Sequence, residues 1–367
     1  MANSLINEGE AVNLFTGEVL MTGKPLDERV HVHYLKKYNR NFILYRIYTW
    51  FLFSLQVARK LKKTEFTDCV VFSNPPILIF LLNRSSFFNK TRFHYVIFDI
   101  YPDVLLESKL GFVYKLVAGW WVKQNKIFMS NATSIFTISN KMKSKIEKYV
   151  KGVNIHMVYP WANTEFIQPI DKEKSQFRKN LSLKYNFNVL YSGNIGYTHG
   201  LETIISLAEK LQNQEVGFII IGEGSGKPKL QMLSKKKQLD NILFLPWQPA
   251  EILCESLNLG DIAIISQGKG IDNVSLPSKT FNYLAAGRAI LAIGGKESEL
   301  ESILRKFNCG VGFDHNDIDE MASFVVELKN NHHLLMEYQK HSRYAAGFFT
   351  PKNASKMAEL ILSHPNN

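Results

Sequence analysis

The residues best placed for chemistry lie in Asp272–Arg288, which reads Asp-Asn-Val-Ser-Leu-Pro-Ser-Lys-Thr-Phe-Asn-Tyr-Leu-Ala-Ala-Gly-Arg. Pro277 and Ser278 read as a helix start, and the pattern predicts a helix over Ser278–Ala286 that stops at Gly287. Free amides at that start, together with the Lys279 ammonium, would attract an anion. Asn282, one turn further, could hydrogen-bond sugar hydroxyls. The plain alternative is a capped helix carrying a surface lysine.

Two glycine-bearing segments could bring backbone close to the same kind of ligand. In Tyr191-Ser-Gly-Asn-Ile-Gly-Tyr-Thr-His-Gly200, Gly193 and Gly196 follow a predicted strand and precede a helix near Leu201, an order that suits a diphosphate. A plain strand-to-helix turn also favours glycine. In Phe218-Ile-Ile-Ile-Gly-Glu-Gly-Ser-Gly-Lys227, Gly222 and Gly224 fit a tight turn beside a ligand. That segment is not a P-loop, which would need glycine at Ile221 and a hydroxyl residue at Pro228. Nor is it G-x-G-x-x-G, since Lys227 takes the last place.

Metal chemistry is not indicated. Asp314-His-Asn-Asp-Ile-Asp319 lacks the order of a calcium loop and reads as a solvated turn. The ten histidines show no H-E-x-x-H spacing, and Cys69, Cys254 and Cys309 lie far apart. No metal or other cofactor is expected, and the cysteine usage fits a reducing compartment.

The elements that must position these residues alternate strand with helix. In the first half, strands are predicted at Ala11–Phe15, Cys69–Ser73, His94–Phe98, Ser134–Ile138 and Val153–Val158. Helices are predicted at Ala2–Glu8, Asn41–Lys63, Ile77–Leu82 and Asn140–Tyr149. Asn163–Tyr185 is polar and reads as a linker. The alternation restarts with strands Val189–Ser192, Val216–Ile221, Ile242–Leu245, Ile262–Ile265 and Ile290–Ile293. Helices Leu201–Gln212, Pro228–Lys237 and Pro249–Leu257 lie between them. Such βαβ units imply parallel sheets in both halves. The expected class is α/β, with two doubly wound domains facing across a cleft that takes ligands at the carboxyl ends of strands. The expected organisation is residues 1–165, residues 166–345, and a helix in 346–367 packing back on the first domain. A doubly wound domain should open with a strand and a glycine-rich turn, yet this chain begins inside the helix that would follow, so the first strand is expected to be missing.

The chain has 367 residues, 46% hydrophobic and 21% charged, enough for two cores and far from a disordered composition. Its net charge of +11 is unevenly held. Residues 1–165 carry 22 Lys and Arg against 12 Asp and Glu, a net of +10, whereas residues 166–367 carry 22 against 21. In Asn39–Lys63, Phe42, Tyr45, Trp50, Phe51 and Phe53 stand among Arg40, Arg46, Arg59, Lys60, Lys62 and Lys63. In Lys115–Phe128, Trp120 and Trp121 stand among Lys115, Lys123 and Lys126. Aromatic and basic residues together suit the headgroup region of an anionic membrane. An amphipathic core helix with a solvated basic edge is the structural alternative. No nucleic-acid module is visible, so nucleic acid is not an expected partner. With no secretory leader and no apolar run of about 18 residues, the expected location is cytoplasmic.

Six segments in this order resemble the family 4 retaining glycosyltransferases. They are Phe98-Asp-Ile-Tyr-Pro-Asp103, Tyr159-Pro-Trp-Ala-Asn-Thr-Glu-Phe166, Tyr191–Gly196, Ile220-Ile-Gly-Glu-Gly224, Phe244-Leu-Pro-Trp-Gln-Pro249 and Leu276–Gly287. The closest subgroup is the colanic-acid and O-antigen fucosamine-transferase-like enzymes. The resemblance implies the GT-B fold and a nucleotide-diphosphate-sugar donor, with uridine the favoured base. Gly193, Asn194 and Gly196 would line the diphosphate loop, and Glu223 and Gly224 would border the nucleotide. Pro246 and Trp247 would lie near its base, Ser278 and Lys279 at the diphosphate, and Asn282 at the ribose. Asp99 falls where many members carry a histidine near the reacting sugar, with Tyr101 and Asp103 on the acceptor side.

The departures are specific. Many members have an Arg and a Lys in the first loop, where this chain has Asn194 and His199. The Glu-x7-Glu signature would fall on Val274 and Asn282. Lys279 is then expected to supply the phosphate charge, with Asp99 positioning the sugar. The implied reaction is metal-free transfer with retention to a polyprenyl-diphosphate-linked sugar, in bacterial O-antigen, capsule or exopolysaccharide synthesis. The basic half would dock on the inner leaflet, making the protein peripheral on the inner face of the cytoplasmic membrane. The competing readings are another GT-B enzyme, such as an epimerase, and an N-terminally truncated, non-catalytic relative that binds a nucleotide or a partner protein.

Overall fold

A computed structural model describes residues 1–19, 25–39, 43–84, 91–103, 112–196, 199–268 and 274–363, with the side chains of 43 and 112–116 excepted. Arg40, Asn41, Phe42, Tyr197, Thr198, Asp272 and Asn273 therefore lie outside the described residues, as does the Lys115 side chain. The chain forms two compact units. The first comprises Met1–Tyr159, Asn273–Leu276 and Lys352–Asn367, and the second Pro160–Asp272 and Pro277–Pro351.

The first unit opens with α1 (Ala2–Asn7), β1 (Asn13–Thr16) and β2 (His31–Tyr34), and the two strands pair in parallel from Asn13↔His31 to Thr16↔Tyr34. The second of these, His-Val-His-Tyr, is too short for its period to show in sequence; pairing with β1 defines it. Then come α2 (Ile43–Leu61), β3 (Asp68–Phe72), α3 (Leu78–Leu82), β4 (Arg92–Ile97), α4 (Phe112–Ser130), β5 (Ser134–Thr137), α5 (Asn140–Glu147) and β6 (Asn154–Met157). Strands β3 to β6 form one parallel sheet in that order. Phe93, Val96, Ile97, Ile135 and Phe136 are its buried centre.

Helix α2 faces the opposite way from a core helix. Thr49, Ser54 and Val57 are buried, whereas Leu44, Tyr45, Ile47, Tyr48 and Phe51 are exposed. Leu44, Ile47, Tyr48 and Phe51 have the i, i+3, i+4, i+7 spacing of one stripe, so a whole apolar stripe meets solvent. Buried Thr49 keeps its hydroxyl satisfied by donating to the carbonyl of Tyr45 at 2.9 Å. Among the described residues, no helix is long and apolar enough to cross a membrane.

Across β3, β4 and β5 runs a polar chain. The Arg92 guanidinium meets Asp68 at 2.8 Å, His94 Nε2 lies 3.1 Å from the same carboxylate, and His94 Nδ1 lies 2.8 Å from Ser134 Oγ. His94 and Ser134 are fully buried, so this Asp–His–Ser order ties strands together and offers no nucleophile. Burial pushes the Asp68 carboxyl up, but hydrogen bonds from Arg92, His94 and Thr67 outweigh it and leave a net depression.

The second unit contains α6 (Gln176–Leu181), β7 (Phe187–Ser192), α7 (Glu202–Lys210), β8 (Val216–Ile221), α8 (Lys227–Lys236), β9 (Ile242–Leu245), α9 (Leu253–Leu257), β10 (Ile262–Ser266), α10 (Lys279–Ala285), β11 (Ala289–Ile293), α11 (Glu299–Phe307), β12 (Gly310–Phe313), α12 (Ile318–Asn330) and α13 (His332–Ala346). Its six strands are parallel in the order β12-β11-β10-β7-β8-β9. Apolar runs such as Val216–Ile221, buried at every position, follow from helices covering both faces. The direction of winding changes between β7 and β10, the place where an open parallel sheet leaves a crevice. The helix expected at Pro249–Leu257 is broken into a 3-10 turn, Ala250–Ile252, and α9.

Asn163–Tyr185 differs from the expected linker. Ser175 caps α6 by accepting from the Arg178 amide at 3.1 Å and donates to Glu255 at 2.8 Å, which also accepts from the Phe177 amide. Lys172 pairs with buried Asp261 at 2.5 Å. The polar residues of this stretch have partners about eighty positions away, which local composition does not reveal. At the chain's end, α14 (Lys352–Leu362) lies in the first unit and packs against α1, with Ser355 Oγ 3.4 Å from Ser4 Oγ.

Replacing Asp68 with Ala should lower unfolding stability by about 1–3 kcal/mol in urea denaturation, because buried His94 loses its partner. Since the folded carboxyl titrates below the unfolded one, that contribution is present above about pH 4 and should vanish as pH falls through the folded value. The wild type and variant should therefore converge in acid.

Candidate nucleotide-diphosphate site

The loops after β7 and β8 touch backbone to backbone. The Gly193 amide donates to Ile221 O at 2.9 Å, Ile195 to Glu223 O at 2.9 Å, and Gly226 to Ile195 O at 2.8 Å. A Cβ on Gly222 would overlap Gly193 O, and one on Gly224 would overlap Ile195 O. Both glycines also hold φ values, +144° and +152°, that other residues rarely adopt. Glycine at these positions thus serves loop-to-loop contact in addition to any ligand.

Lys279, the first residue of α10, reaches under this pair of loops. A Cβ on Gly193 would lie 2.6 Å from its Nζ. The ammonium lies 3.8 Å from the centroid of the Tyr191 ring, a cation–π contact, and is buried without a hydrogen-bond partner. Burial pulls its pKa down to about 7. The Tyr191 hydroxyl is turned away, donating to Asn194 O at 2.7 Å. Tyr283, also on α10 and fully buried, accepts the Ser192 amide at 2.6 Å and so ties α10 to the end of β7. Ser278 is exposed and makes no capping hydrogen bond. Because α10 has only seven residues, the ammonium rather than a helix dipole is the main local charge.

His199 completes this wall. Its ring packs on Gly196, where a Cβ would lie 2.9 Å from Nδ1. Burial first, and Lys279 second, pull its pKa down to about 4, so it is neutral at pH 7. Ser266, at the end of β10, donates to the His199 carbonyl at 2.5 Å. His315 bridges Thr203 on α7 and the Gln267 carbonyl, at 2.9 and 2.8 Å. Tyr191, His199 and Tyr283 are the contributors that sequence reasoning did not assign. Their signal was present in Tyr-Ser-Gly-Asn and Phe-Asn-Tyr, but an aromatic before a glycine turn reads equally well as core.

The structure brings Gly193, Asn194, Gly196, Glu223, Gly224 and Lys279 together in these loops. Asn194 and Glu223 are exposed, the latter paired with Lys227 at 2.7 Å. Pro246 and Trp247 lie exposed on the loop after β9, and Asn282 is half-buried on α10.

The first unit carries Asp99, Tyr101 and Asp103. Asp99, just past β4, pairs with Ser275 in an antiparallel bridge, and its backbone amide donates to Ser73 Oγ at 3.4 Å. Burial raises its carboxyl pKa, and a hydrogen bond from Ser275 offsets part of that. Val274, one of the two signature positions, is fully buried, and its carbonyl accepts the Ile100 amide at 3.1 Å. Tyr101 stacks on Trp121 at 6.0 Å between centroids. Asp103 is held by Lys145 at 2.8 Å and the Tyr149 hydroxyl at 2.6 Å, so its oxygens tie the loop to the region of α5.

An uncompensated cation seated beneath glycine loops at a winding switch can attract an anion. Residues 171–346 match the family described as Glycosyl transferases group 1. This half of the chain is similar to that family. Over 182 residues the chain is 33% identical to the colanic acid biosynthesis glycosyl transferase WcaI of Escherichia coli K12, a match that covers 49% of this chain and 45% of WcaI. The alignment therefore spans less than half of that relative's length. Among solved structures, WaaG, a glycosyltransferase involved in lipopolysaccharide biosynthesis, aligns with a TM-score of 0.71 at 14% identity, covering 99% of this chain and 94% of WaaG. Anabaena HepE in complex with UDP-glucose also aligns at 0.71, with 12% identity and 92% and 87% covered. The fold is GT-B.

Two outcomes follow for this site. Gly222→Ala should lower stability by about 1–3 kcal/mol, read as a fall in melting temperature, because backbone cannot yield to the new methyl group. The affinity advantage of the wild type over Lys279→Met for inorganic diphosphate, measured by calorimetry, should shrink as pH rises above about 7, where the free amine loses its proton.

Proposed function

We propose that the chain is a retaining glycosyltransferase that moves a sugar from a UDP-sugar to a polyprenyl-diphosphate-linked sugar in surface-polysaccharide synthesis. The observation that carries this reading is the Lys279 ammonium, buried beside Gly193 with no hydrogen-bonding partner. A buried cation without a counter-charge is costly unless an anion completes it. A nucleoside diphosphate bound in the loops supplies that anion, and the polysaccharide roles in the names of WcaI and WaaG support the pathway.

In this reading, the bond between the anomeric carbon and the diphosphate oxygen breaks with its electron pair going to the diphosphate. Lys279 stabilises that growing charge, as an oxyanion hole does. The acceptor hydroxyl attacks from the face that the diphosphate leaves and gives its proton to the departing phosphate oxygen. No metal takes part. Asp99 positions or stabilises the sugar. The first unit docks on an anionic membrane surface through its aromatic and basic residues.

Thermal shifts with UDP, dTDP, GDP and ADP test the donor site. At 100 times its dissociation constant, UDP should stabilise the protein by about 2.7 kcal/mol, and Lys279→Met should abolish the shift. A folded wild type that responds to none of the four would overturn the reading.

A further inference from the structure

We propose that the first unit holds the lipid part of the acceptor, with one isoprenoid chain lying in the apolar cavity between α2, α3 and α4 and its diphosphate met by Arg84. The inference rests on the lipid-linked acceptor proposed above. The cavity measures about 550 Å³, within the usual range for small-molecule sites. Leu44, Ile47, Tyr48 and Phe51 of α2 wall it on one side, with Phe80 of α3 and Trp120 of α4 among the others. Phe80 and Trp120 pack tilted at 4.7 Å, so part of the wall is already shaped. Leu44 is 77% exposed and Phe51 49%, a stripe that water alone would not favour.

The chemistry of the lining selects the occupant. Among the described residues the lining contains no carboxylate and no side-chain amide, and its one ionised residue is Arg84. A peptide would find little there to pair with its backbone, whereas a hydrocarbon chain ending in an anion finds both of its needs met. Chain and diphosphate thus have successive places within one unit: the cavity and Arg84.

The test uses the full chain with farnesyl diphosphate as a soluble short isoprenoid, followed by tryptophan fluorescence and calorimetry. Saturable one-to-one binding is expected, with inorganic diphosphate at least tenfold weaker. The double variant Ile47→Glu with Phe51→Glu should weaken farnesyl diphosphate at least tenfold, Arg84→Gln should weaken it severalfold, and neither should change the UDP-induced thermal shift. The inference is overturned if the double variant binds farnesyl diphosphate like the wild type, or if inorganic diphosphate binds as tightly. It is also overturned if the double variant loses phosphatidylglycerol vesicles while keeping farnesyl diphosphate, since the stripe would then be a flat membrane contact. A missing UDP shift alongside intact farnesyl diphosphate binding would remove the donor reading and leave the lipid site standing.

Discussion

Two loops of the second unit approach so closely that their backbones exchange hydrogen bonds, and the candidate site depends on that approach. Gly193, Ile195 and Gly226 donate to carbonyls across the gap, and neither Gly222 nor Gly224 has room for a Cβ. The loops belong to neighbouring strands, β7 and β8, so the sheet register sets their spacing. With their amides committed to each other, the loops are held in shape before any ligand arrives. Preorganisation of this kind lets a site stabilise charge without rearranging at the moment of reaction.

That rigid seat explains how an unpaired ammonium can be tolerated. Lys279 is placed by α10, which Tyr283 binds to the end of β7, and its charge rests on the Tyr191 ring. A cation–π contact is worth about 0.5–2 kcal/mol, less than full hydration of an ammonium. The remaining deficit appears as a pKa pulled down to about 7. An anion beside Nζ would relieve it, because an opposite charge favours the protonated form.

The first unit departs from ordinary packing in a complementary way. Its sheet has a conventional core and a satisfied Asp68–His94–Ser134 chain, yet α2 buries Thr49 and Ser54 and turns Leu44, Ile47 and Phe51 outward. A soluble helix does the reverse. The excess of positive charge lies in the same half of the chain. Apolar stripe, cavity and cations thus lie together in one unit.

The sequence by itself determined the alternation of strand and helix, the parallel sheets and the glycine turns. These features are written in local patterns: four- to six-residue apolar runs, glycine after a strand, proline before a helix. It also showed that basic and aromatic residues concentrate in the first half. Only the tertiary structure decided which face of α2 meets solvent, because the residues that bury Thr49 and Ser54 come from elsewhere in the chain. The polar stretch after Asn163 read as a linker for the same reason: its partners, Glu255 and Asp261, are distant in sequence. The partners of Asp103, Lys145 and Tyr149, are likewise more than forty positions away in sequence. The state of Lys279 was equally hidden, since a lysine at a helix start is ordinarily solvated, and burial under Gly193 and Tyr191 is a property of three segments meeting in space.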